Sequence, residues 1–491
     1  MSQAKIKSKS EVNVSPGLSL FVFSLSALIT GAVSFFLPQL LFFWKIACAG
    51  VLFFSILDFI QLFFFTNRLS VSRQMSESLS LGIAADVKLT ISSCKKSSPY
   101  QKMPRKFKIF DLFDDSMLCD SMPIEFLDQS AKARSSRVSG YAPNTNYWNF
   151  TYTVKPLIRG NWEISGTHLL LSSFLHFWRL KIVHQHKTEG RTYPNFSILT
   201  KQQSLNAILH QSGEKNVQKR GQGMEFDTLR EWHNGDSLRS IDWRATSRRN
   251  KVIVRQYQEE QDQHVLLILD SGYRLHRRDS EIGSLEGTEY NLPLTQFDFA
   301  LNASLLLAWS ALKHGDSVAA SVFGTTEKWQ SPRKGLSSFG ILMNALYDVK
   351  SSGAPSSPFA ALQNAISRLK RRTFIVMISN FRTEDKEQIS WILPQITRRH
   401  LLLMVSLRET DAQKIAARTF TDAATGLGKT STAVDQDAIM ETVAAYNYIC
   451  ERAALYKQWE HSGLLTLEAS ADNLSAAIIN RYLAVKRSGL L

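Results

Sequence analysis

Two apolar runs dominate the first part of the chain. Residues 17–37 contain no charged side chain, and a helix of that length, at about 1.5 Å per residue, spans about 30 Å of hydrocarbon. Residues 40–65 form a second run, separated from the first only by Pro38 and Gln39. The pattern predicts transmembrane helices at 17–37 and 40–65, joined as a tight hairpin and preceded by a tail at 1–16. Lys5, Lys7 and Lys9 precede the first run and Arg68 and Arg73 follow the second, whereas the turn carries no charge. The positive-inside rule then places both ends in the cytoplasm. A cleaved signal peptide would need a small-x-small site before the second run, and none is there. Lys45 is close enough to the outer end to snorkel, and Asp58 is placed to face Ser19 or Ser24 of the first helix.

Residues 69–196 alternate apolar and polar side chains in short stretches. SLGIAADVKLTIS, YWNFTYTVKPLI and NWEISGTHLLLS each read as strands bounded by Gly, Pro, Asn and Ser, which together predict a β-sandwich. In HFWRLKIVHQHK (176–187) the alternation puts His184 and His186 together on one exposed strand face.

From residue 263 to 491 strands and helices take turns. HVLLILD, DSVAASVFG, TFIVMIS, HLLLMVSL and LLTLEAS read as strands. Helical periodicity marks 295–315, 336–349, 358–372, 383–399 (despite Pro394), about 438–459, and the final NLSAAIINRYLAVKR. Such alternation predicts a parallel sheet covered on both faces, a doubly wound α/β domain. Residues 411–437, rich in Ala, Thr and Gly, read as a loop or fraying helix. At whole-chain level the class is α+β multidomain.

Charge refines this picture. Lys and Arg number 58 against 43 Asp and Glu, a formal charge of +15. Residues 68–108 hold nine basic and two acidic side chains, Glu77 and Asp86, directly after the second apolar run. The economical reading is attraction to an anionic membrane surface. Nucleic-acid binding would want interleaved aromatics, and only Tyr100, Phe107 and Phe110 are present. The four cysteines, Cys48, Cys94, Cys119 and Cys450, show no paired spacing and suit a reducing compartment.

The most distinctive stretch is 219–262, containing GQGMEFDTLREWHNGDSLRSIDWRATSRRNKVIVRQYQEE. Its nine Lys or Arg nearly balance eight Asp or Glu, which predicts a web of Arg–carboxylate pairs with Trp232 and Trp243 covering the guanidinium stems. His233 is alone and no Cys accompanies it, so the segment suits structure or partner docking rather than catalysis. Glu225, Phe226, Arg230, Gly235, Asp236, Arg239, Asp242, Trp243, Arg248, Arg255 and Glu259, in this order, resemble the signature of the bacterial domain-of-unknown-function 58 family. The resemblance extends over nearly the whole chain: an apolar hairpin, a β-domain with Arg159-Gly160 and Tyr193-Pro194, the signature, and a von Willebrand factor A-like domain. It implies a MoxR-type AAA+ ATPase as partner, in the assembly or maturation of envelope complexes at a bacterial inner membrane.

Von Willebrand A domains that bind Mg²⁺ carry Asp-x-Ser-x-Ser after their first strand, oxygen ligands that suit a hard cation. Here Asp270 is followed by Gly272 and Arg274 at the serine positions, and Asn380 stands where a second acid belongs. The loop 350–358 offers Ser356 or Ser357 for the remaining hydroxyl. The expectation is a degenerate site without metal, with Arg274 pairing Asp270 in place of the ion. There is no GxxxxGK[ST] loop and no HExxH; GLGKTS at 426–431 lacks the first Gly and follows no strand. No cofactor is expected. The sequence therefore favours a non-enzymatic, two-pass membrane scaffold whose soluble domains and termini are cytoplasmic, with lipid, the ATPase and other envelope proteins as partners and no nucleic acid. A metal-dependent adhesion module is the first alternative and a basic nucleic-acid binder at the membrane the second.

Overall fold

The computed structural model describes residues 10–36, 41–66, 69–93, 106–119, 124–127, 147–173, 175–195, 220–233, 241–249, 251–258, 263–285, 288–409, 412–416 and 436–488. The chain divides into two compact units, Met1–Asn195 with Glu281–Pro293, and Phe196–Ser280 with Leu294–Leu491.

The first unit contains two apolar helices, α1 (Leu18–Phe36) and α2 (Leu41–Thr66). Within α2, Leu41–Phe63 is long and apolar enough to cross a membrane, with mean hydropathy 2.1; Leu18–Val33 is a shorter apolar helix. The helices meet where Trp44 Nε1 donates to the Ala27 carbonyl at 2.7 Å. Gly31 permits this approach, since a Cβ there would lie 2.9 Å from Trp44 Nε1.

Its strands are β1 (Ser10–Pro16), β2 (Leu69–Gln74), β3 (Ser78–Ser80), β4 (Ala85–Ser93), β5 (Lys106–Phe113), β6 (Met117–Leu118), β7 (Ile124–Leu127), β8 (Tyr147–Pro156), β9 (Gly160–Ser172), β10 (Trp178–His184) and β11 (Thr188–Tyr193). One sheet runs β1-β10-β9-β11-β3 with β5 and β7 attached, and another runs β2-β4-β8-β6. Period-two alternation turns Val87, Leu89 and Ile91 of β4, Phe150, Tyr152 and Val154 of β8, and Trp162, Ile164, Leu169 and Leu171 of β9 into one shared core.

Four expectations change here. Residues 10–16, read as part of a tail, pair with β10 from Ser10↔His184 to Pro16↔Trp178. His184 is not exposed: it shares the inward face of β10 with Leu180 and Ile182 and is 4% accessible. Arg73 does not belong to a basic face. Its guanidinium is buried, 2.9 Å from Asp111, which also accepts from the Tyr152 hydroxyl and from Thr167. Asp58 faces neither Ser19 nor Ser24. Its Oδ1 accepts the Leu175 N–H at 3.2 Å, in the turn between β9 and β10. Trp178 Nε1 in turn donates to the Ser55 carbonyl at 3.0 Å.

In the second unit, β12 (Arg220–Glu231) and β13 (Ile253–Gln258) form an antiparallel pair around a short helix, Trp243–Arg249. Then come β14 (His264–Asp270) and the hairpin of β15 (Arg278–Leu285) and β16 (Thr288–Thr295), most of which falls within the first unit. The main sheet adds β17 (Ser317–Phe323), β18 (Lys328–Lys334), β19 (Thr373–Ile378), β20 (Leu401–Leu407) and β21 (Leu465–Ala469). Its order is β18-β17-β14-β19-β20-β21, parallel except for β18.

Successive residues of β14 feed opposite cores. Val265, Leu267 and Leu269 pack with the helices Gln296–Lys313 and Leu474–Ser488. Leu266 and Ile268 pack with the helices Pro358–Arg368, Lys386–Thr397 and Gln436–His461. Burial on both faces is why these strands read as unbroken apolar runs. The doubly wound arrangement expected for 263–491 is the one observed, with β18 as an additional edge strand. Pro332 is tolerated there because an edge strand has one unpaired side. Of residues 411–437, most lie outside the described residues.

Candidate functional site at the carboxyl edge of the sheet

In open α/β sheets ligands gather outside the carboxyl ends of the strands, where the chain leaves neighbouring strands toward opposite faces. Here that point lies between β14 and β19. The chain leaves β14 for the helix on one face and leaves β19 for the helix Lys386–Thr397 on the other.

Asp270 ends β14 and is fully buried. Its Oδ1 accepts the Gly272 N–H at 2.8 Å, and its Oδ2 accepts the Ser379 hydroxyl at 2.6 Å and the Ser356 hydroxyl at 3.0 Å. Burial pushes the Asp270 carboxyl above the ordinary carboxylate range, and these three donors act against that rise. Ser271 ties the neighbouring loop down: its hydroxyl donates to the Phe323 carbonyl and accepts from the Thr325 N–H.

Arg274 turns away from Asp270. It pairs in a bidentate manner with Asp385, Nη2 lying 2.9 Å from Oδ1 and Nη1 bonding Oδ2, with both side chains nearly inaccessible. The expected Arg274–Asp270 pair is thus corrected. Asp385 stands in a short 3-10 turn after β19, where it also accepts the Arg382 N–H, and the fork geometry of guanidinium and carboxylate favours this partner. Asn380 is likewise committed. Its Nδ2 donates to Gln296 Oε1 at 2.7 Å and to the Arg274 carbonyl, and its Oδ1 accepts from the Leu407 N–H and Ser406. Ser406 and the Leu407 carbonyl are held in turn by Arg452, which is buried.

Asp270, Ser356, Ser379 and Asn380 therefore meet, as the serine and acid positions of a metal site would. Their chemistry does not fit a divalent cation. Gly272 and Arg274 supply no side-chain oxygen, Asn380 has its side-chain carbonyl turned to backbone, and the second nearby carboxylate is neutralised by Arg274. Beside Ser356 and Ser357 a cavity of about 300 Å³ opens, lined in part by Lys328, Trp329, Asn364 and Arg368. Sequence reasoning offered Ser356 or Ser357 here, of which Ser356 bonds Asp270, and missed Ser379 and Asp385.

The signature residues are only partly brought together. Asp242 Oδ1 accepts the Arg244 and Ala245 N–H groups at 3.0 and 3.1 Å, capping the helix Trp243–Arg249. Trp243 is 70% exposed rather than covering a guanidinium, and Arg248 is exposed. Glu225, Phe226, Arg230 and Arg255 lie on the paired strands β12 and β13. Gly235, Asp236, Arg239 and Glu259 lie outside the described residues. The ion pair described in this segment is Lys251 with Glu231, at 2.7 Å and exposed.

Residues 228–437, from the middle of β12 to the start of the helix Gln436–His461, match the family model described as a protein of unknown function, DUF58. The match takes in the signature from Arg230 onward together with Asp270, Gly272, Arg274 and Asn380, and leaves Glu225 and Phe226 just before it. Comparison with curated proteins gives no match. Similar solved structures include the conserved hypothetical protein BatB from Bacteroides thetaiotaomicron, at 9% identity over 46% of this chain and 99% of that one, with a TM-score of 0.27. An aerotolerance-related membrane protein from Bacteroides fragilis shows 11% identity over 45% and 97%, with a TM-score of 0.23. Proximal thread matrix protein 1 from the mussel byssus shows 11% identity over 46% of each chain, with a TM-score of 0.25.

Proposed function

We propose that this protein is a member of the DUF58 family and a non-enzymatic scaffold, anchored in a bacterial inner membrane by a two-helix hairpin with its soluble parts in the cytoplasm. In this reading the first unit carries a β-sandwich and the second a von Willebrand A-like domain that works with a MoxR-type AAA+ ATPase on envelope complexes. The observation that carries it is the internal commitment of the carboxyl-edge groups: Asp270, Arg274, Asn380 and Asp385 are all hydrogen-bonded to neighbouring side chains or backbone. A catalytic acid or nucleophile needs a partner atom on the substrate, and a rigidly cross-braced edge instead suits presenting a fixed surface. The test is crosslinking of the full-length protein in membranes followed by mass spectrometry. Recovery of an AAA+ ATPase through the second unit supports the reading. Crosslinks confined to lipid-embedded neighbours, with no ATPase, sink it.

A further inference from the structure

Exposed basic side chains gather at the amino edge of the main sheet of the second unit. The helices run back from the carboxyl edge of the sheet, so the turns that enter β19 and β20 lie at its amino edge. Lys370, Arg371 and Arg372 enter β19, and Arg398 and Arg399 enter β20. Antiparallel β18 brings Arg333 and Lys334 to the same edge, because they pair with Val318 and Ser317 at the start of β17. All seven side chains are exposed. Among the described residues, Arg333, Lys370, Arg371, Arg398 and Arg399 make no ion pair. The carboxylate of Asp316 at this edge is buried and already held by Lys486 and Tyr482. At the other edge Asp270 and Glu468 lie at the ends of their strands and Asp385 and Glu409 follow theirs, with Arg274, Arg382, Arg408 and Arg452 set among them as counter-charges.

Helix ends explain part of this excess. A C-terminal turn favours a cation within its own last turn, a role filled by Lys313, Arg368 and Arg487. Lys370, Arg371 and Arg372 lie beyond such a turn, and Arg333 and Lys334 are on a strand, so that effect does not reach them.

We propose that this amino edge is a docking surface for anionic phospholipid headgroups. The three basic segments, PRKG, LKRRT and TRRH, contain no Phe, Tyr or Trp on which bases would stack, and the ring of His400 is buried, which favours lipid over nucleic acid. The chain also carries its own bilayer-long helix, Leu41–Phe63, so a tethered domain meets headgroups at high effective concentration. The inference rests on the membrane-anchored reading above.

The full-length protein reconstituted into vesicles tests it. Flotation with neutral phosphatidylcholine vesicles reports the anchor by itself, and failure there counts against the anchored reading. Trypsin cleavage after Arg398 and Arg399, relative to cleavage after Arg408 at the opposite edge, reports the docking. Phosphatidylglycerol in the vesicles should slow that relative cleavage about ten-fold, and molar salt should restore it, because screening acts within about 8 Å already at physiological salt. Lys370→Glu with Arg371→Glu, which leaves the reporting bonds intact, should abolish the protection without changing the melting temperature. Equal cleavage on neutral and anionic vesicles overturns the proposal. Protection by a DNA duplex on neutral vesicles, with no effect of phosphatidylglycerol, overturns it in favour of nucleic acid.

Discussion

A Cβ placed on Gly272 would lie 2.6 Å from the Cβ of Ser356, so the loop after β14 and the loop before the helix Pro358–Arg368 close directly onto each other. The Ala354 carbonyl lies 2.9 Å from the same point, and it also accepts the Tyr273 N–H, so it has little freedom to withdraw. Gly272→Ser should therefore lower stability by about 1–3 kcal/mol, the usual range for overpacking. Combining it with Arg274→Ser should not produce saturable stabilisation by millimolar Mg²⁺. A melting shift that saturates with Mg²⁺ and vanishes on Asp270→Ala would show that the site accepts the ion after all.

The Arg274–Asp385 pair makes a second prediction. Removing one member of a buried pair strands the other charge, which costs about 3–5 kcal/mol. Arg274→Ala and Asp385→Ala should each show this loss in denaturant unfolding. The double variant should recover much of it, because no uncompensated charge remains. Additive losses in the double variant would mean that the two side chains act independently.

For the signature segment, the contacts described for Asp242 are those of a helix cap. Asp242→Ala should cost about 1 kcal/mol, the ordinary value of a cap. Asp242→Asn keeps an oxygen at the same position and should restore most of it. Equal losses for both variants would mean that the charge, not the cap, is what the segment requires. Arg248→Ala, at an exposed position, should leave the melting temperature unchanged and reduce only ATPase recovery in the crosslinking experiment.

His184 supplies a pH dependence for the first unit. Burial pushes its imidazole pKa below the ordinary value of about 6.5. The unfolded chain then binds more protons than the folded one at mildly acidic pH, so stability falls as the pH drops below about 6.5. Full stability is present above that value. His184→Leu should flatten the decline in thermal melts between about pH 5 and pH 7, and an unchanged slope would assign the effect to other groups.

What the sequence made legible follows from burial. The strands β14, β19 and β20 are covered on both faces, and HVLLILD, TFIVMI and LLLMVSL announce themselves without alternation. β18 was hidden because KWQSPRK has no apolar face and is held by its register with β17. β1 was hidden for a similar reason, its partner lying far along the chain. At β10 the period was right and the phase wrong: Leu180 and Ile182 mark the inward face, and His184 shares it. Asp385 carries no local signal, since its role depends on Arg274, 111 positions away. The available clue was an Arg four positions after the end of one apolar strand and an acid shortly after another.

The pairing of β1 has a consequence for how the protein is made. Pro16 and Trp178 are partners about 160 residues apart, and α1 and α2 both lie between them. At translation rates of about 5–20 residues per second, β1 waits roughly 10–30 s after emerging before β10 exists. Both apolar helices are synthesised within that interval, while the sheet is still open along β10. Closure by β1 is then a late step of biogenesis. A ribosome stalled before residue 178 would carry a chain whose N-terminal segment is still open to protease.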